Sequence, residues 1–88
     1  MSHLLARLRG VKYENIREIL LNDAKDHAKE GLFLEHLWQN DDDQEEVLFL
    51  FRCSDLDHVK KFIIRVHSQA LKENPDANLP VMTYLLEK

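Results

Sequence analysis

The chain has 88 residues, 44% of them hydrophobic and 32% charged, with a formal net charge of −4. That length holds one hydrophobic core and not two, so a single domain over residues 1–88 is expected. The acidic balance without a basic stripe argues against a nucleic-acid partner. No run approaches the roughly 20 apolar residues of a membrane span, and Met1 to Arg7 lacks the apolar run of a signal peptide, so no membrane partner and a cytoplasmic location are expected.

His3 to Arg9 predicts a first strand, with Leu4, Ala6 and Leu8 on one side and His3, Leu5, Arg7 and Arg9 on the other. Gly10 stops it. Tyr13 to Glu30 predicts one helix, because Ile16, Ile19, Leu20, Ala24, His27 and Ala28 recur at helical spacing. Gly31 follows, where a glycine can take the left-handed conformation that closes a helix. Phe33 to Gln39 and Glu46 to Cys53 read as two strands. The polar run Asn40 to Glu45 between them, whose side chains bond locally to turn backbone, makes them a hairpin.

Ser54 is expected to cap a second helix, with Asp57 near its positive end. Leu56, Val59, Phe62, Ile63, Val66 and Ala70 form its apolar stripe, and Asn74-Pro75 ends it. Pro80 to Leu86 reads as a last strand, with the proline at its first position, where a missing donor is tolerated. The order β-α-β-β-α-β is the ferredoxin-like α+β plan. It implies a four-stranded antiparallel sheet, two helices on one face, and the first and third strands at its centre.

In such a sheet the face without helices should be polar. Here the strands are apolar on both sides. Val47, Phe49 and Phe51 stand opposite Leu48 and Leu50; Val81 and Leu85 stand opposite Met82, Tyr84 and Leu86; Phe33 and Leu37 are expected opposite Leu34 and Trp38. A lone subunit would expose a larger apolar patch than soluble monomers usually carry. A second copy is the simplest cover, giving a homodimer with its sheets face to face; another protein, or a small ligand in a groove, would also serve.

The element order, the two-sided sheet and the segment from Trp38 through Asn40-Asp41-Asp42-Asp43 to Val47, Phe49-Leu50-Phe51 and the helix beginning at Leu56 resemble the dimeric α/β-barrel superfamily. The pattern is nearest to antibiotic-biosynthesis-monooxygenase-like and other small barrel proteins. No catalytic signature of one family is matched. The resemblance implies a ligand cavity between sheet and helices or near the dimer face, and favours small-molecule binding or cofactor-free catalysis.

His3, Arg7, His36, Trp38, Arg52 and Tyr84 can share the face opposite Leu4, Ala6 and Leu8. Apolar walls with an imidazole and a cation suit a small-molecule pocket. His36 or His3 would then be the acid/base and Arg7 the anion holder, with Trp38, Arg52 and Tyr84 as pocket walls. The plainer reading has Arg7 and Arg52 in ion pairs across a dimer seam, with the histidines and Trp38 packed there.

His27 reads as a boundary residue of the first helix, and His58 and His67 as solvent-facing. None of the three has metal-ligand spacing, so neither metal nor cofactor is expected. Asp41 to Glu46 lacks the spacing and glycine of a calcium loop, and reads as a solvated turn. Cys53, without a second thiol, reads as a buried reduced cysteine. Val47 to Cys53 has neither the glycine nor the basic start of an RNA-recognition strand. The expected function is a homodimeric barrel protein that binds a small, partly apolar molecule, as a cofactor-free monooxygenase, isomerase or cyclase. The alternative is a non-catalytic dimerisation or regulatory module.

Overall fold

In the computed structural model, which describes residues 1–88, the alternating segments form β1 (Ser2–Arg9), β2 (Leu32–Gln39), β3 (Glu46–Cys53) and β4 (Val81–Leu86). They make one sheet in the order β2-β3-β1-β4 with every neighbouring pair antiparallel, so the first and third strands are central. Three helices cover one face: α1 (Tyr13–Asn22), α2 (Ala24–Lys29) and α3 (Leu56–Glu73). This is the ferredoxin-like α+β architecture. None of the helices is long and apolar enough to cross a membrane.

The helix expected from Tyr13 to Glu30 is interrupted at Asp23, whose φ of −92° and ψ of 0° leave the helical region. Backbone bonds from Asp23 to the Ile19 carbonyl and from His27 to the Asp23 carbonyl, both 2.9 Å, carry the chain across the break. The result is a kink rather than a loop. It also dissolves the expected stripe, because Ile16 and Leu20 are buried whereas Ile19, Ala24 and Ala28 are exposed. Gly31 closes this segment as expected, with a φ of +79°. Its carbonyl accepts from the Ser54 amide at 3.0 Å, joining the end of α2 to the start of α3.

The cap of α3 is Asp55 rather than Ser54: its carboxylate accepts from the His58 backbone amide at 3.2 Å. Val59 and Ile63 bury the face of α3 that meets the sheet. β2 contains a register shift between Leu34 and His36. That bulge corrects the expected alternation, since Leu34 pairs with Phe51 and Leu37 with Phe49, which places both on the helix side, while Phe33 and Trp38 share the other.

The core lies between sheet and helices. Leu4, Ala6 and Leu8 pair with Phe51, Phe49 and Val47, and all six are buried. Cys53 ends this row, buried, and burial pushes its thiol pKa up, so the thiol is a packing residue.

Candidate functional site

The two faces of the sheet offer different chemistry. On the face without helices, the strand register sets out three rows running across β2, β3 and β1. Phe33, Arg52 and His3 form the first, His36, Leu50 and Leu5 the second, and Trp38, Leu48 and Arg7 the third. Alternation thus brings His3, Arg7, His36, Trp38 and Arg52 to one side, as expected. Tyr84 is a correction. It pairs with Leu4, which puts it on the helix side, where the Lys60 ammonium of α3 lies 5.3 Å from its ring. Burial raises the pKa of its hydroxyl.

The charged groups of the open face are already engaged within the chain. The β2 bulge sets the Glu35 carboxylate 3.0 Å from His3 Nε2 and 3.9 Å from Arg52 Nε. Arg52 also rests over the Phe33 ring at 4.6 Å. His36 stacks on Trp38 with ring centroids 4.9 Å apart. At the other end of the face, Arg9 Nε donates to Glu46 and Asn40 Nδ2 donates to it at 2.7 Å, with Arg7 Nε 3.9 Å away. The bond from Arg9, then that from Asn40, holds the Glu46 carboxyl below the usual carboxylate range. His3 and Arg7 stand four residues apart on one strand, about 13 Å at the usual rise, so they do not converge on one small group.

The helix side holds a cleft. The α1–α2 segment lies over β2 and β3, while α3 leans toward β4. Between them opens a cavity of about 320 Å³, floored by Leu8, Phe49, Phe51 and Met82 and walled by Ile16, Leu20, Phe62 and Ile63. The Ser54 to Gly31 bond and His58 Nε2, 2.6 Å from Glu30 Oε2, tie the end of α2 to the start of α3. Exposed Ile19 and Val66 also line it.

Three polar side chains that could ionise line this cleft: Asp23, His27 and His67. His27 is half-buried, its ring edge-on to Phe51 at 5.5 Å, a boundary residue as expected. His67 is also half-buried rather than solvent-facing, which corrects the sequence reading, and burial lowers its pKa. Its signal was present in the sequence. Position 67 follows buried Ile63 by four residues and lies on the same stripe, but a histidine there counts as polar. Neither face gathers three or more His, Cys, Asp or Glu side chains in a metal-holding group.

No protein-family model and no curated protein sequence matches the chain. Among solved structures, it is similar to a "putative antibiotic biosynthesis monooxygenase" from Deinococcus radiodurans, with a TM-score of 0.62 at 16% identity over 100% of this chain and 93% of that one. It is similar also to an uncharacterized NIPSNAP domain protein from Burkholderia xenovorans, with a TM-score of 0.60 at 16% identity over 100% of this chain and 95% of the other. At such identity what is shared is the fold: both neighbours have this architecture over nearly their whole length.

Proposed function

We propose that this chain is a small-molecule-binding protein that works as a homodimer, its open sheet face forming the seam and its helix cleft holding a small, partly apolar molecule. The observation that carries the reading is the cleft itself, about 320 Å³ of mostly hydrocarbon wall with two imidazoles among the lining groups. Pockets for small molecules have this size and this mixture. Each Å² of apolar ligand surface removed from water there contributes about 25 cal/mol.

The dimer rests on the other face. Trp38, Val81 and Leu85 are 45%, 57% and 40% exposed, beside half-buried Leu5, Leu48 and Leu50. Because Glu35 and Glu46 already partner the histidine and arginines of that face, a second copy covering it would leave fewer charges without a partner. In this reading His3, Arg7 and Arg52 set the electrostatics of the seam, and His36 and Trp38 pack in it. A cofactor-free monooxygenase, isomerase or cyclase needs a side chain that moves a proton beside an apolar substrate. His67, whose pKa burial lowers, is better placed for that than His3, whose Nε2 is already engaged by Glu35.

Titration of the protein with phenylbutanol, followed by NMR, tests the ligand site. Saturable shifts of the Ile16, Ile63 and Val66 signals are expected. Shifts that never saturate, or that fall on Leu48 and Leu50, contradict the reading.

A further inference from the structure

The cleft carries an asymmetry of charge. Its lining contains no lysine or arginine, and its one carboxylate is that of Asp23. Asp23 sits at the kink between α1 and α2, where its side chain makes no capping hydrogen bond, and it takes part in none of the chain's ion pairs. Arg65 of α3 lies against the Phe62 ring at 5.6 Å and is not among the lining groups. An anionic ligand would therefore leave water for a site offering no cation, which is costly. A ligand with an ammonium head would find an unengaged carboxylate beside an apolar chamber.

We infer that the ligand class of the cleft is an apolar primary amine, its hydrocarbon part on Leu8, Phe49 and Ile63 and its ammonium at Asp23. This rests on the proposed cleft reading and sharpens it. Asp23 follows buried Leu20 by three residues and precedes half-buried His27 by four, and it is exposed at the edge of the cleft. The neighbouring carboxylate of Asp26 is engaged by Lys29 at 3.9 Å and lies outside the lining, which makes it the natural control.

The test uses three probes of one shape, phenylbutylamine, phenylbutanol and phenylbutyrate, titrated against the full chain near neutral pH. The amine is expected to bind about fivefold tighter than the alcohol, the range of a solvent-accessible ion pair, and the carboxylate more weakly than either. Asp23→Asn should erase the preference for the amine while leaving the alcohol's affinity unchanged, and Asp26→Asn should keep it. Equal binding of amine and alcohol would overturn the inference and leave the cleft reading standing. So would a preference that survives Asp23→Asn, or one that Asp26→Asn reduces as much, since the protein's overall negative charge would then explain it. Failure of the alcohol to bind at all would overturn both.

Discussion

The two faces of this sheet use similar residues to opposite ends. On the helix side, Leu4, Ala6, Val47 and Phe51 are sealed by the chain's own helices, and the packing leaves one chamber between α1–α2 and α3. On the other side, Leu5, Leu48 and Leu50 alternate with arginines that Glu35 and Glu46 partner in the plane of the sheet. The first pattern is that of a core with a cavity. The second is that of an apolar surface crossed by ion pairs, the kind of patch that marks an interaction surface. The difference teaches that apolar content does not by itself identify a ligand site. What distinguishes the faces is whether their polar groups are paired already, as Glu35 and Glu46 are, or unengaged, as Asp23 is.

Leu50→Glu should break that comparison most strongly. A carboxylate in the middle row of the open face should yield monomers or aggregates, and a soluble dimer of unchanged stability in sedimentation would show that this face is not the seam. Leu4→Ala, at a side chain with no solvent exposure on the helix side, should cost about 2–5 kcal/mol in urea unfolding. Its neighbour Leu5→Ala should instead weaken association, so that its melting temperature becomes more dependent on protein concentration than the parent's. Equal, concentration-independent losses for the two would erase the distinction between the faces.

Acid should dismantle the faces at different points. The carboxyl of Glu46 has a folded pKa below its unfolded value of about 4.3, so its stabilisation is present above that pH and is lost as pH falls through the lowered value. His67 also has a depressed folded pKa, so its contribution is full above about 6.5 and declines as pH falls through its folded value. Stability followed from pH 7.5 to 3 should therefore show an upper stage that begins below about 6.5 and a lower one that begins below about 4.3. His67→Leu should flatten the upper stage and leave the lower. An upper stage that persists in this variant would place its origin elsewhere. The smallest effect is expected for Asp55→Ala, about 1 kcal/mol from loss of the α3 cap, read by thermal unfolding.

Most of the fold was legible because two periods, near 3.6 and 2, distinguish its helices from its strands, and because Gly31 and Asn74-Pro75 mark where helices stop. Alternation grouped the residues of β1, β3 and β4 correctly, yet it could not say which group of β4 faces the helices. That depends on the Leu4 to Tyr84 register, a long-range pairing invisible in local sequence, and it is why Tyr84 falls on the other side. The β2 bulge at Glu35 and the kink at Asp23 also leave no local mark strong enough to read. His67 escapes a reading by pattern for a different reason. Its spacing was right, and only its polarity spoke against the stripe.

The account depends most on the coverage of the open face by a second copy of this chain. Sedimentation equilibrium at micromolar protein measures that directly. The expected mass is twice the 10.4 kDa of one subunit. A single species of 10.4 kDa, with Trp38 fluorescence fully quenched by a soluble quencher, would contradict it.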